Sequence, residues 1–334
     1  MEVEIGDVLA QKYRVESVLG RGGMGYVVAA NHTQLDRRVA IKLLAPQFCE
    51  SDEAVARFVR EARACVRIQG EHVARVLDVG MLESGAPFMV MELLEGQDLA
   101  GELRARGKLS VEDAVEYILQ VCEALAEAHA LGIVHRDLKP ANLFKTRRGD
   151  GSALIKVLDF GISKAVCAED QAPISLTASH DLIGSPPYMS PEQVRRPKSV
   201  DARSDIWSLG VILHELLGGR PPFAEGAPMS VLASVVSDPP ESLRALRPNL
   251  PEALYIVVSR CLEKDPGLRF QEVLDLVEAL AECAPEAAKT AFSRITAIVR
   301  SAKHRAQPAA SPKSLVPAQV PTLASPAASP KPTA

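Results

Sequence analysis

Alternating apolar and polar positions near the N-terminus predict the strands of a small sheet. In residues 13–30, apolar stretches flank the sequence GRGGMG and indicate a strand, a turn and a second strand. Residues 38–44 alternate between two faces, with Val39, Ile41 and Leu43 on one and Ala40, Lys42 and Leu44 on the other. Lys42 therefore lies among apolar neighbours, an unusual place for a solvated charge, although surface lysines also cover apolar neighbours with their stems.

Helical periodicity begins at residues 51–67. Asp52 and Glu53 suit the positive end of a helix. The apolar residues recur at the helical period and predict one buried face, formed by Val55, Phe58, Val59, Ala62, Cys65 and Val66. Glu61 lies at the edge of this face, from which a carboxylate can reach inward toward Lys42. Taken alone, a glutamate at such an edge is usually solvated.

Farther along the chain the pattern changes from strands to helices. Residues 73–79 and 88–91 predict two more strands. A long helix begins after Ser110, which suits an N-cap, and ends before Gly132. Residues 204–219 (SDIWSLGVILHELLGG) are apolar almost all round and predict a buried helix. We therefore expect an α+β fold with two lobes, a small antiparallel β-rich lobe and a larger, mainly helical one, with a cleft between them.

One segment, residues 135–161 (HRDLKPANLFKTRRGDGSALIKVLDFG), concentrates the chemically useful side chains. An Asp, a Lys and an Asn lie close together in it, and a second Asp follows an apolar run that predicts a buried strand. Mg2+ prefers oxygen ligands and uses only one or two protein carboxylates. Asn142 and Asp159 fit such a pair, with Lys139 beside a transferring phosphate and Asp137 receiving the proton of a nucleophile.

This segment resembles the catalytic loop and the metal-binding segment of eukaryotic-type (Hanks-type) protein kinases. A lysine at position 139 is typical of serine/threonine kinases. The motifs GGMG and MSPEQ and the Pro-rich tail resemble those of bacterial members of the family. The resemblance implies a protein kinase domain over residues 13–283, with an N-lobe of about residues 13–93 and a C-lobe of about residues 94–283. It also implies phosphoryl transfer from ATP, with Mg2+ or Mn2+, to serine or threonine hydroxyls of proteins.

The resemblance further assigns residues to nucleotide binding. A glycine-rich loop is expected to cover the phosphates, through Leu19, Gly20, Arg21, Gly22, Gly23, Met24, Gly25, Tyr26 and Val27. Lys42, paired with Glu61, is expected to hold the phosphates. Four residues are expected near the adenine, namely Ala40, Met91, Glu92 and Leu94. Taken alone, the glycines also suit a turn without a ligand, or a dinucleotide fold, but that fold needs a helix where residues 26–30 predict a strand.

A long polar segment, residues 162–192, follows the metal-binding motif and exceeds an ordinary connection. The resemblance implies an activation segment, in which phosphate on Thr177, Ser179 or Ser175 would pair with Arg136 and order the chain. Hydroxyls in flexible loops are common, so each alone is weak as a regulatory site. The family usually has Ala before Pro-Glu and Thr near position 185, and this chain has Ser at both places.

Two long-range structural contacts also follow from the resemblance. Asp205, in the buried helix, is expected to accept backbone N–H groups of the catalytic loop, because a buried acid needs partners. Arg269 is expected to pair with Glu192.

The chain changes character after residue 283. Residues 284–306 predict a basic amphipathic helix, which packs on the domain or lies on a membrane or a partner. Residues 307–334 are mostly Pro, Ala and Ser, which cannot bury a core, so they predict a disordered tail. A scaffold built on this helix and tail, with a kinase attached, is one alternative function. A pseudokinase that binds partners without catalysis is another, but such proteins commonly lose residues that are present here at Lys42, Asp137 and Asp159.

Composition narrows the class of protein further. The 334 residues are 47% hydrophobic and 24% charged, as in ordinary globular proteins, and the net charge of −4 argues against a nucleic-acid-binding protein. Six scattered cysteines without metal-ligand spacing indicate a reducing compartment. No signal peptide is apparent, and residues 206–217 are too short to cross a bilayer. We therefore expect a cytoplasmic kinase without a membrane span, with transient self-association for phosphorylation of one copy by another.

Overall fold

An antiparallel sheet forms the N-terminal lobe in this computed structural model, which describes residues 3–22, 25–160 and 185–306. Within them, six strands pair in the order β1-β2-β3-β4-β6-β5. Their bounds are β1 Val8–Leu9, β2 Tyr13–Gly22, β3 Gly25–His32, β4 Arg37–Leu44, β5 Val76–Met81 and β6 Pro87–Glu92. The strand, turn and strand predicted around the glycines are therefore β2 and β3, and no helix follows the glycines.

The two faces of β4 bury different clusters. Val39, Ile41 and Leu43 lie in the core of the sheet, together with residues of β2, β3 and β6. Leu44, on the opposite face, packs instead against the helix that covers the sheet. Because alternate side chains of a strand share a face, Lys42 lies on the helix side, as the alternation predicts.

Helix α2, Asp52–Arg67, covers that face after a single turn, α1, Pro46–Cys49. The Ser51 hydroxyl accepts the N–H of Ala54 at 3.2 Å and caps the helix. Phe58 and Ala62 are buried as predicted. Val66, which the periodicity places on the same face, is 52% exposed. The prediction for this residue is wrong because the last turn of α2 packs in the core of the C-terminal lobe through Cys65, which leaves the neighbouring Val66 at the surface.

The C-terminal lobe is mainly helical. Its helices are α3 Leu99–Arg106, α4 Val111–Ala130, α5 Pro191–Arg195, α6 Ala202–Gly218, α7 Pro228–Ser237, α8 Leu243–Leu246, α9 Glu252–Cys261, α10 Val273–Leu280 and α11 Pro285–Ala306. A small sheet, β7 Gln97–Asp98, β8 Leu143–Arg147 and β9 Ala153–Val157, lies on its cleft side. This is the α+β, two-lobed arrangement that the sequence predicts.

Helix α6 lies at the centre of the helical lobe, where the pattern of apolar residues places it. Trp207, Val211 and Ile212 are fully buried in one core with α4, α9 and α10. The last helix, α11, packs on α4 and α10 through Ala288, Ala291 and Ile295. In the part of the chain that the structure describes, no helix combines the length and apolar character needed to cross a bilayer. Residues 307–334, predicted to be a disordered tail, lie outside the described residues.

A buried ion pair joins α5 to the segment before α10. The two guanidinium NH groups of Arg269 each donate to one oxygen of Glu192 at 2.8 Å, and the Arg269 side chain is fully buried. Burial raises the pKa of Glu192, but the hydrogen bond and charge of Arg269 outweigh it, so the pKa lies below its ordinary value. The pairing expected from the sequence is confirmed.

Replacing Arg269 with alanine should therefore destabilise the fold strongly. Breaking a buried pair leaves an uncompensated carboxylate, at a cost of about 3–5 kcal/mol in the free energy of unfolding. The control is Arg38→Ala, which removes an exposed pair with Glu16 (57% and 34% exposed) and should cost about 0.2–1 kcal/mol. Urea unfolding at neutral pH measures both, and equal losses would contradict the buried-pair interpretation.

Candidate active site

A buried carboxylate holds the loop of residues 135–142 in place. Asp205, at the start of α6, is fully buried and accepts the backbone N–H groups of His135 and Arg136, each at 2.9 Å. It also accepts a hydrogen bond from His129 at 2.8 Å. Burial raises the pKa of Asp205, but the hydrogen bond and charge of His129 outweigh it and lower the pKa. The expected role of Asp205 is confirmed.

Backbone strain marks the same segment. Arg136 has a φ of 64°, a left-handed conformation that costs a non-glycine residue free energy. The two hydrogen bonds to Asp205 hold it there. Asp159, after β9, is likewise left-handed, with a φ of 48°. Surrounding contacts must hold both of these strained residues in place.

Asp137 lies at the end of this held loop, with its neighbours arranged around it. The side-chain Nδ2 of Asn142 donates to the backbone oxygen of Asp137 at 2.8 Å and lies 3.4 Å from its carboxylate. The Lys139 ammonium lies 3.4 Å from the same carboxylate. The side chain of Asp137 is 18% exposed, so a substrate hydroxyl can approach it. The structure thus brings together three of the predicted residues.

A buried histidine connects the catalytic loop to the segment of Asp159. His135 accepts the N–H of Asp137 at Nδ1 and donates from Nε2 to the carbonyl of Leu158 at 2.9 Å. Burial lowers the pKa of His135, so the ring stays neutral and keeps this tautomer. Its ring also packs on the buried Phe160, 4.7 Å between centroids. His135 therefore ties the segment around Asp137 to the residues that flank Asp159.

Lys42 joins both lobes at the cleft. Its ammonium lies 2.8 Å from Glu61 of α2 and 2.8 Å from Asp159. Burial lowers the pKa of Lys42, but the charges of Asp159 and Glu61 outweigh it and raise the pKa. Burial raises the pKa of Asp159, but Lys42 holds it below its ordinary value. At neutral pH Lys42 and Asp159 are therefore both charged.

The segment after β6 lies where the adenine is expected. Met91 and Leu94 are half-buried, and Ala40 is buried opposite Met91 in the sheet. The Glu92 carboxylate accepts the N–H of Arg75 at 2.7 Å and pairs with the buried Lys156 of β9 at 2.7 Å. Sequence reasoning does not identify Lys156, although a lysine inside an apolar strand is a signal that it has a fixed partner.

The glycine-rich hairpin lies above the cleft side of β4. Gly22 pairs with Gly25 across the turn, and a Cβ on Gly25 would lie 2.0 Å from the Leu43 carbonyl oxygen. Gly25 is therefore required by the packing of the sheet itself. A Cβ on Gly20 would meet nothing within 4 Å. The remaining described residues of the hairpin are exposed or half-buried, namely Leu19, Arg21, Tyr26 and Val27. Gly23 and Met24 lie outside the described residues.

The end of the activation segment contacts the catalytic loop. Lys139 donates to the Ser185 hydroxyl at 3.0 Å. This contact is missed by sequence reasoning, which notes Ser185 only as a departure from the family pattern. The proposed regulatory residues lie outside the described residues, namely Ser175, Thr177 and Ser179.

Comparison with known proteins agrees with this geometry. The family described as "Protein kinase domain" matches residues 13–281. Serine/threonine-protein kinase pkn3 of Myxococcus xanthus is 38% identical over 267 residues, which cover 79% of this chain and 48% of pkn3. Serine/threonine-protein kinase PknA of Mycobacterium tuberculosis is 35% identical over 285 residues, covering 84% of this chain and 63% of PknA. The chain thus spans about half the length of the curated relatives it matches.

A solved structure gives the same result for the fold. The crystal structure of the PknI kinase domain of Mycobacterium tuberculosis has a TM-score of 0.65 and 29% sequence identity, and covers 85% of this chain and all of that domain. The match extends over both lobes and the cleft between them. Together with the arrangement of Lys42, Glu61, Asp137 and Asp159, these similarities show that the chain belongs to the protein kinase family, among its bacterial serine/threonine members.

Proposed function

We propose that this chain is an ATP- and Mg2+-dependent serine/threonine protein kinase, with its kinase domain in residues 13–283. The observation that carries the proposal is the position of the Lys42 ammonium, 2.8 Å from both Glu61 and Asp159. A lysine held in this way presents a fixed positive charge at the cleft, which phosphoryl transfer uses to hold phosphate oxygens. A kinase-like scaffold without catalysis would not need Lys42, Asp137 and Asp159 all to be retained.

The nucleotide is proposed to bind between the lobes. Backbone groups of Glu92 and Leu94 bind the adenine, beside Ala40 and Met91. The glycine-rich hairpin covers the phosphates, and the open space beside Gly20 supports this, because a backbone without side chains lets an anion approach closely. The side chain of Glu92 is already paired with Lys156 at 2.7 Å, so its backbone groups are the ones proposed to bind the adenine.

The residues around Asp159 fit a magnesium ion. The Asp159 side chain is 43% exposed in the cleft and its pKa is lowered, so it presents a charged oxygen ligand. Asn142 uses its Nδ2 for Asp137, which leaves its side-chain oxygen as the acceptor. Within the described residues no group of three or more metal-ligating side chains occurs, as expected for an ion that takes other ligands from phosphates and water. Bound Mg2+ would neutralise phosphate charge.

Asp137 orients the substrate hydroxyl and accepts its proton, while Lys139 neutralises charge on the transferred group. Asn142 keeps the backbone of Asp137 in place. The contribution of the protein is therefore positioning and electrostatic stabilisation, with no covalent enzyme intermediate.

Regulation is proposed to act through residues 162–192. Phosphate on Ser175, Thr177 or Ser179 pairs with Arg136 at the catalytic loop. Transient self-association of two copies allows one to phosphorylate the other. The proposed reaction consumes ATP, and the described cysteines, such as Cys65 and Cys122, form no disulfide. Both observations support a reducing compartment that contains ATP, as in the cytoplasm.

Labelled ATP tests the proposal directly. Purified protein incubated with ATP labelled at the γ-phosphate and Mg2+ should incorporate label at serine and threonine, within residues 175–179 and in added basic protein substrates. Removal of the divalent ion with EDTA should abolish incorporation, because phosphoryl transfer needs the ion, and added Mg2+ or Mn2+ should restore it. Mass spectrometry identifies the modified residues. A protein that binds ATP yet incorporates no label under these conditions would contradict the proposal.

A further inference from the structure

A loop between α2 and β5, residues 68–75 (the α2–β5 loop), docks on the C-terminal lobe. Glu127 of α4 accepts the backbone N–H groups of Gln69 at 3.1 Å and Gly70 at 2.8 Å. The His72 carbonyl accepts the N–H of Val157 in β9 at 2.8 Å, and the N–H of Ala74 donates to the Val157 carbonyl at 3.1 Å. Ile68 is buried in the core of the C-terminal lobe. Because α2 ends at this loop, the loop determines where α2, and hence Glu61, lies relative to the cleft.

The side chain of His72 is enclosed by charges. Nδ1 donates to the carbonyl of Ile155 at 2.9 Å, so in the neutral ring Nε2 carries a lone pair. Nε2 lies 3.4 Å from Glu123 of α4 and 3.6 Å from Glu71, and has no hydrogen-bond partner among the described residues. His72 is 3% exposed and Glu123 is 7% exposed. A lone pair facing two carboxylates is unfavourable unless cations lie near.

Two arginines supply these cations. Arg148 makes two hydrogen bonds to Glu71, at 3.0 and 3.2 Å. Arg294 of α11 lies 3.6 Å from Glu71 and 3.5 Å from Glu123. The two carboxylates and the two guanidinium groups balance in charge. Lys156, another cation near the loop, donates instead to the Val73 carbonyl and pairs with Glu92.

Helix α11 reaches the loop across an open groove. The groove has a volume of about 410 Å3 and is lined on one side by Gln69, Gly70 and Glu127 and on the other by Ala297, Ile298 and Ser301. A second space of about 260 Å3 adjoins it at His72 and Arg294. Packing between α11 and the α2–β5 loop is therefore loose. Among the described residues, the ion pairs of Arg294 are the main contact between this helix and the loop.

We propose that α11 is an intramolecular activating element, in which Arg294 is a positioning residue that holds the α2–β5 loop and, through it, keeps Glu61 against Lys42. This rests on the proposed kinase function. Without Arg294, the buried Glu123 and the half-exposed Glu71 face His72 with one cation fewer, and the loop and the end of α2 move to relieve the repulsion. Movement of α2 separates Glu61 from Lys42.

The test compares the wild-type chain of 334 residues with Arg294→Gln, Arg294→Lys and Arg300→Gln. Arg300 is exposed on the same helix and makes no ion pair with the described residues, so it is the matched control. At pH 8, Arg294→Gln should lower kcat/KM for ATP about fivefold, within the range seen for coupled networks. Arg294→Lys, which keeps the charge, should recover most of it, and Arg300→Gln should match wild type.

A double variant separates positioning from simple destabilisation. Adding Glu123→Gln to Arg294→Gln should restore activity at pH 8, since it restores the balance between carboxylates and guanidinium groups around His72.

Hydrogen exchange gives a measurement that does not depend on catalysis. Amides of residues 68–75 should exchange faster in Arg294→Gln than in Arg300→Gln, while those of α6 stay unchanged. The inference is overturned if the two variants agree in exchange, or if the activity deficit at pH 8 is restored neither by Arg294→Lys nor by adding Glu123→Gln. If wild type and Arg300→Gln incorporate no label, the kinase proposal fails, and the exchange data still decide the role of Arg294.

Discussion

Asp137→Asn is expected to abolish measurable phosphate incorporation while leaving the fold intact. The substitution is isosteric, and Asn142 still donates to the unchanged backbone oxygen at position 137. The variant loses only the charge that accepts the proton of the substrate hydroxyl and attracts Lys139. Loss of a positioned general base lowers turnover by about 10²–10⁴-fold. Label incorporation at saturating ATP measures this effect.

The matched control for this prediction is Asp150→Asn. Asp150 lies in the turn between β8 and β9, where its carboxylate accepts hydrogen bonds from Ser152. The control has the same chemical change outside the cleft and should keep wild-type turnover. Nucleotide affinity of Asp137→Asn should stay near that of wild type, because the expected adenine and phosphate contacts are made by other residues. Wild-type turnover in Asp137→Asn would show that the assigned base is wrong.

Lys42→Met should also remove activity, for a different reason. It takes away the cation shared by Glu61 and Asp159, so the phosphates lose their fixed positive charge and the two carboxylates lose their partner. Removal of one preorganised electrostatic contact typically lowers turnover by about 10²–10³-fold. Nucleotide affinity should fall too, in contrast to Asp137→Asn. Calorimetric titration with ATP and Mg2+, together with label incorporation, measures both effects.

The stability of Lys42→Met should depend on pH with a defined sign. In the wild type, Lys42 holds the pKa of Asp159 below its ordinary value. A carboxyl with a lowered folded-state pKa stabilises the fold above its unfolded pKa of about 4, and loses this contribution as the pH falls. Urea unfolding should therefore show the largest difference between wild type and Lys42→Met near pH 7 and a smaller one near pH 3. Lys12→Met, in an exposed turn, should show no such pH dependence.

Several features of the site follow from local sequence alone. Strand alternation places Lys42 on the face of β4 that α2 covers, and the helical period places Glu61 at the edge of α2 that faces it. Motif order predicts the α+β two-lobed fold and the grouping of Asp137, Lys139 and Asn142. These predictions succeed because they depend on periodicities of two and 3.6 residues and on groups within one short segment.

The tertiary structure decided what lies between distant segments. Lys156 pairs with Glu92 across 64 residues, and Arg294 reaches Glu123 from a helix at the far end of the chain. Val66 has the right period for burial and is exposed, because the last turn of α2 packs on the C-terminal lobe through Cys65 instead. The sequence by itself therefore determined the elements, most of their faces and the proposed catalytic groups. Only packing of the lobes decided which charges share a low-dielectric space, because ion pairs depend on distances that no local pattern contains.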